Sequence, residues 1–132
     1  MQIVRDVMHK GVVTCSVSTT VGDALKIMLD EHVSMLAVVD ERSDACGLIT
    51  KTDVARCYGK DLASITTEDI MSEELLTVSP NDSVKEALQR MLSHKVHQLV
   101  ITTEGGEHRR PVGIFTIGDA VALMAGQSEG ER

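Results

Sequence analysis

The sequence predicts an α+β fold in which one β-α-β-β-α unit is used twice. Two observations carry that expectation. Asp6, Met8, Thr14, Ser16, Val21, Ala24, Leu25, Met28, Leu29, Val33 and Leu36 recur 63 positions on, as Asp69, Met71, Thr77, Ser79, Val84, Ala87, Leu88, Met91, Leu92, Val96 and Leu99. The offset then widens to 66, and Gly47, Thr50 and Asp53 recur as Gly113, Thr116 and Asp119. A repeat of this length is a supersecondary module that buries its apolar face against a neighbour. The chain has 132 residues, enough for one domain, whereas a single copy would be marginal on its own. The copies are therefore expected to share a fold, with repeat 1 over 1–60, a link over 61–68, repeat 2 over 69–126 and a polar tail over 127–132.

Each copy opens on a short apolar strand, Gly11 to Cys15 and Leu75 to Val78. A helix follows, announced by Thr20-Val21-Gly22-Asp23 and Ser83-Val84-Lys85-Glu86. In such a capping box the hydroxyl accepts from a free backbone N–H and the acid three residues on returns the bond. Val21, Ala24, Leu25, Met28 and Leu29 then form one apolar stripe, as do Val84, Ala87, Leu88, Met91 and Leu92. The methionines in these stripes read as core fillers. Two strands joined by a polar turn come next, Met35 to Val39 with Cys46 to Ile49, and Gln98 to Thr102 with Pro111 to Phe115. The second hairpin loop is three residues longer, which accounts for the change of offset; loop tips tolerate insertion. A second helix starts near Thr52 and near Gly118.

Composition narrows the function. The apolar residues are aliphatic, with one Tyr, one Phe and no Trp, so there is no stacking platform for single-stranded nucleic acid. A net charge of −7 disfavours a phosphate backbone as partner. No apolar run reaches the length of a membrane span and no charged-then-apolar leader opens the chain, which predicts a soluble, cytoplasmic protein. Cys15, Cys46 and Cys57 lack C-x-x-C spacing and read as reduced, small hydrophobes. No Ser-His-Asp set, tuned acid pair or metal-ligand spacing is visible, so no enzyme activity is expected.

The segments that could carry chemistry are Gly47-Leu48-Ile49-Thr50-Lys51-Thr52-Asp53 and Gly113-Ile114-Phe115-Thr116-Ile117-Gly118-Asp119. Each is a strand ending in Thr at the threshold of a helix, with Asp three residues on. One reading is a nucleotide site, in which Thr and the first helical N–H groups meet a phosphate and Asp accepts both hydrogens of a ribose diol. The other is a helix cap, because T-x-x-D is itself a capping box.

These segments, with Val33-Ser34-Met35-Leu36-Ala37-Val38-Val39-Asp40, Val96-His97-Gln98-Leu99-Val100-Ile101, and the entrances Asp6-Val7-Met8 and Asp69-Ile70-Met71, resemble a tandem pair of CBS (cystathionine-β-synthase) domains over about Val4 to Ala125. The resemblance implies two repeats about a pseudo-twofold axis, with a ligand cleft on each side built from both. One cleft would join Ile114, Thr116 and Asp119 to Val13, Val33 and Ser34. The other would join Leu48, Thr50 and Asp53 to Leu76, Val96 and His97, with Gln98 beside it. The implied ligand is an adenine nucleotide (AMP, ADP or ATP) or S-adenosylmethionine, sensed to regulate a separate enzyme or transporter. A disc-like homodimer is implied too, and the alternative is a CBS scaffold that binds no ligand.

The copies also disagree. Repeat 2 resembles the gamma-type repeats of AMP-activated protein kinase, in which a His-Arg pair contacts phosphates; here the pair is His97-Gln98, and copy one has Ser34-Met35. Without the guanidinium a bidentate phosphate donor is missing, which implies weak affinity for polyphosphates, or a preference for a monophosphate or adenosyl ligand. Lys51 could contact phosphate or stay in solvent, and His108-Arg109-Arg110 reads as a solvated turn. His9, His32 and His94 stand outside any motif and read as surface or satisfied polar residues.

Overall fold

The computed structural model describes residues 2–73, 75–103 and 108–130. The middle of the longer hairpin loop and the last two residues of the expected tail lie outside them. The element order is α1 (Val4–Val7), β1 (His9–Lys10), β2 (Thr14–Ser16), α2 (Val21–Glu31), β3 (Met35–Val39), β4 (Ala45–Thr50), α3 (Lys51–Ala55), α4 (Thr67–Ile70), β5 (Thr77–Val78), α5 (Val84–His94), β6 (Gln98–Thr102), β7 (Pro111–Thr116) and α6 (Ile117–Gly130).

Repeat 1 forms a sheet of order β2-β3-β4, and repeat 2 one of order β1-β7-β6-β5. In each, a parallel pair (β2 with β3, β5 with β6) is joined through the long helix, and an antiparallel hairpin completes the sheet. The fourth strand of the second sheet comes from the other repeat. His9 pairs with Ile114 and Lys10 with Gly113. At the equivalent place in the first sheet, Ser72 forms an antiparallel bridge to Leu48.

Each repeat's entrance is thus traded to its neighbour. Val4 N donates to Asp82 O at 2.8 Å, and Thr67 N donates to Thr19 O at 2.8 Å. Val4 is fully buried in the core of repeat 2 beside Met91, Leu99 and Phe115, with Val7 and Met8 packed on it. Ile70 and Met71 pack on the core of repeat 1, around Met28, Leu36 and Ile49. The buried Thr67 hydroxyl, inside the stretch read as a link, donates to Ser16 O at 2.7 Å. The swap divides the single opening strand expected in each copy. Gly11, at φ +80°, turns the chain out of β1, so β2 starts only at Thr14, and its counterpart β5 only at Thr77. That φ is one glycine adopts at little steric cost.

The long helices start as expected, with Thr20 Oγ1 accepting from Asp23 N and Ser83 Oγ from Glu86 N, both at 3.1 Å. Asp23 and Glu86 remain exposed, and only the hydroxyl half of each box forms. Val21, Ala24 and Met28 are buried, as are Ala87 and Met91. Leu29 and Leu92 are not: they lie at the edge of the stripe and are 60 % and 63 % exposed. Helix α6 continues to Gly130, through most of the expected polar tail. Gln127 and Glu129 are good helix formers and no proline intervenes.

Candidate functional site

Both long helices end on a residue in the left-handed region, His32 (φ 56°) and Lys95 (φ 58°). The next N–H closes each end, Val33 N to Met28 O and Val96 N to Met91 O, both at 3.0 Å. This reversal, a common way to satisfy the last carbonyls of a helix, sends Val33-Ser34 and Val96-His97 towards the seam between repeats. Opposite them stand Thr50 and Thr116, register partners of Met35 and Gln98. Ser34 O accepts from Lys51 N at 3.1 Å and His97 O from Ile117 N at 3.0 Å, fixing where α3 and α6 begin.

Both T-x-x-D segments are closed capping boxes. Thr50 N donates to Asp53 Oδ2 at 2.8 Å and Asp53 N donates to Thr50 Oγ1 at 3.4 Å. The second pair matches, Thr116 N to Asp119 Oδ2 at 2.9 Å and Asp119 N to Thr116 Oγ1 at 3.1 Å. In each aspartate one oxygen serves the cap, and Oδ1 is left for a second partner.

What meets that oxygen differs between the copies. Asp53 Oδ1 lies 3.7 Å from Arg56 Nη1. Asp53 borders a cavity of about 260 Å³ that reaches from Thr50, Thr52 and Arg56 of repeat 1 to Leu76, Val96 and Gln98 of repeat 2, with Leu48 and Ser72 also lining it. Leu48, Thr50, Asp53, Leu76 and Val96 are thereby brought together as the sequence suggested. His97 is exposed and does not line this cavity; Gln98 does. Side chains alternate along an extended chain, so Val96 and Gln98 face one way and His97 the other. Lys51 is exposed and outside the lining as well.

Across the seam the expected set is divided. Val13, Val33, Ser34 and Ile114 line one cavity of about 370 Å³. Asp119 lines another, of about 460 Å³, with Val7 and Ala122, and Thr116 lines neither. His9 borders both, and its Nε2 donates to Asp119 Oδ1 at 2.7 Å.

Two residues that shape these clefts were missed from sequence. Arg56 stands three after Asp53, a spacing that puts the two on one helical face. Its counterpart in copy two, 66 positions on, is Ala122. His9 aligns with Ser72 across the repeat. That mismatch between copies was the available signal, and no local motif drew attention to it.

The loop cluster is not a free turn. Arg109 N donates to Asp44 Oδ1 at 2.8 Å, Arg109 O accepts from Ala45 N at 2.9 Å, and Arg109 Nη2 donates to Thr77 Oγ1 at 2.8 Å. His108 Nδ1 also lies 3.3 Å from Asp44 Oδ1, so the two hairpins are clasped to each other. All three cysteines are free. Burial pushes the Cys15 thiol above its ordinary value, and burial with the nearby Asp40 and Glu68 carboxylates does the same for Cys46. Among the described residues no group of His, Cys, Asp and Glu could hold a metal, and no helix is long and apolar enough to cross a membrane.

The CBS domain family matches this chain twice, over residues 4–60 and 68–126. The chain belongs to that family. It is a CBS domain pair. It is 32 % identical over 134 residues to the CBS domain-containing protein YhcV of Bacillus subtilis, covering 98 % of this chain and 91 % of that protein. It is 26 % identical over 125 residues to the L-aspartate semialdehyde sulfurtransferase of Methanocaldococcus jannaschii, but spans only 24 % of that enzyme's length. Among solved structures it is similar to the CBS domain pair of protein MJ0100 in complex with 5′-methylthioadenosine and S-adenosyl-L-methionine, with a TM-score of 0.83 and 25 % identity over 96 % of this chain and 98 % of that one.

Proposed function

We propose that this CBS pair senses an adenosyl ligand, AMP, ADP, ATP or S-adenosylmethionine, in the cleft of Asp53, and that occupancy changes the packing of the two repeats and so the state of a separate enzyme or transporter. One observation carries the reading: a single cavity joins a carboxylate of repeat 1 to an apolar wall of repeat 2. Asp53 Oδ1 would accept from the ribose diol, as acidic residues do in other nucleotide folds. Leu76 and Val96 would hold the adenine, with Gln98 beside them. A ligand touching both repeats favours one arrangement of their interface over another, which is the physical requirement for a signal. The MJ0100 pair, bound to two adenosyl compounds, supports the ligand class. Arg56, a permanent cation on the cavity wall, favours a ligand that bears phosphate.

Further parts of the proposal rest on other features. Leu29 and Leu92, exposed at equivalent positions of α2 and α5, would cover one another in a homodimer. Three free thiols suit the reducing conditions of the cytoplasm. A scaffold that binds no ligand is the second reading, favoured by the fact that both T-x-x-D boxes close on themselves. A thermal-shift panel separates the two, because a ligand that binds only the folded state raises its stability. AMP and 5′-methylthioadenosine are expected to raise the melting temperature, and Arg56→Ala to weaken the AMP shift while sparing that of the neutral thioether. No shift with any adenosyl compound would leave the scaffold.

A further inference from the structure

The pseudo-twofold relation makes a direct comparison of the two clefts possible, and they differ at the one carboxylate oxygen that a ribose would need. In the first, Asp53 lines the same cavity as Leu76 and Val96, its Oδ1 has Arg56 Nη1 at 3.7 Å, and the residue paired with Leu48 is the short Ser72. In the second, the residue paired with Ile114 is His9, and its Nε2 holds Asp119 Oδ1 at 2.7 Å. The imidazole stands between the cavity of Val13, Val33 and Ser34 and the one that contains Asp119. Its side chain is 71 % exposed, so it can swing into solvent without disturbing the core.

We infer that His9 is a latch on the second cleft. Resting on the proposed adenosyl reading, the inference is that the Asp53 cleft is the ready site. The Asp119 cleft takes a ribose diol only after His9 releases the carboxylate. Two hydrogen-bond donors compete for one oxygen: the imidazole, supplied by the protein itself, and the ribose hydroxyl, supplied by the ligand. A contact to a carboxylate is among the stronger hydrogen bonds, so displacing it lowers apparent affinity. At Asp53 the counterpart residue, Ser72, is too short to reach across, and the nearest cation, Arg56 Nη1, lies 3.7 Å from Oδ1, beyond direct hydrogen-bond distance. His9 is a positioning residue for Asp119 and need not touch the ligand.

Calorimetric titration with AMP of the wild type, His9→Ser and His9→Gln tests this. His9→Ser copies the residue of the first cleft, and His9→Gln keeps a side-chain amide that can still donate. The latch predicts one tight AMP per wild-type chain and a second in His9→Ser, tightened by about tenfold or more. It also predicts stoichiometry close to wild type in His9→Gln, and loss of the gained site in His9→Ser/Asp119→Ala. His9→Ser with wild-type stoichiometry and affinity would overturn the latch while leaving the adenosyl reading intact. So would two equal sites in the wild type. Absence of binding to every variant would overturn the adenosyl reading and the latch together. A double-mutant cycle of His9→Ala and Asp119→Ala on the ligand-free melting temperature gives an independent readout. Effects that are less than additive support the contact, and strictly additive ones overturn it.

Discussion

Gly113 packs so closely on the main chain of His9 that a Cβ on it would lie 2.8 Å from the His9 carbonyl oxygen. The same crossing recurs at Gly47, where a Cβ would meet the side chain of Met71 and lie 3.1 Å from Ser72 O. These two contacts account for the methionine that both copies carry at the entrance, Met8 and Met71, and for the glycine within the last strand of each sheet's hairpin. The methionine of one repeat lies over the glycine of the other, and the swapped entrance can then reach the sheet.

Substituting either glycine should therefore loosen the contact between the repeats. Gly113→Ala must move a backbone oxygen, whereas Gly47→Ala mainly displaces a flexible thioether. We expect a cost of about 1–3 kcal/mol, larger for Gly113→Ala, read from denaturant midpoints at unchanged slope. Equal, negligible effects would contradict the close crossing.

The clasp between the hairpins makes a second prediction. Asp44 receives Arg109 N and lies beside His108 through the same oxygen. The contact is exposed, so water can replace the lost acceptor, and Asp44→Ala is expected to cost about 0.5–1.5 kcal/mol. Hydrogen exchange at the Arg109 amide should accelerate in parallel.

The left-handed helix ends predict a gain. His32 and Lys95 hold positive φ angles that a side chain makes unfavourable. His32→Gly and Lys95→Gly should each stabilise the protein by about 0.5–1 kcal/mol, the backbone relief exceeding glycine's added freedom in the unfolded chain. A fall in melting temperature would show that the side chains contribute more than the strain removes.

Thiol chemistry gives a pH test. Cys15 and Cys46 are both raised, first by burial, and Cys46 also by Asp40, Glu68 and Glu73. A raised thiol holds its proton longer, so little thiolate is present at neutral pH. Alkylation at Cys15 and Cys46 of the folded protein should be slow at pH 7, with a rate that inflects above the ordinary thiol value of about 8.5. Since the folded form keeps the proton that the unfolded form loses, these thiols should also lower stability as pH rises through that range. A fast reaction at pH 7 would contradict the direction.

Much of the fold was legible because a duplicated sequence repeats its own punctuation. Thr20 and Ser83 cap, Met28 and Met91 fill cores, and Thr50 and Thr116 end strands at matching places. The exchange of entrances was not legible. Val4 to Met8 and Thr67 to Met71 are too short to show a period, and nothing local says which copy they join. The site was half legible for the same reason. Thr50 and Asp53 announce themselves by spacing, whereas Arg56 and His9 matter only through what the other repeat places beside them. His97 shows the converse: a residue singled out by resemblance, whose carbonyl anchors α6 while its side chain faces outward.

The role proposed for the Asp53 cleft is to hold the ribose of an adenosyl ligand. Calorimetric titration of AMP and 5′-methylthioadenosine into the wild type and Asp53→Ala tests it most directly. Saturable binding of at least one of them to the wild type is expected, with its loss in Asp53→Ala beyond any fall in ligand-free stability caused by removing the cap. Binding to Asp53→Ala with wild-type affinity, or none to the wild type at millimolar concentration, would contradict it.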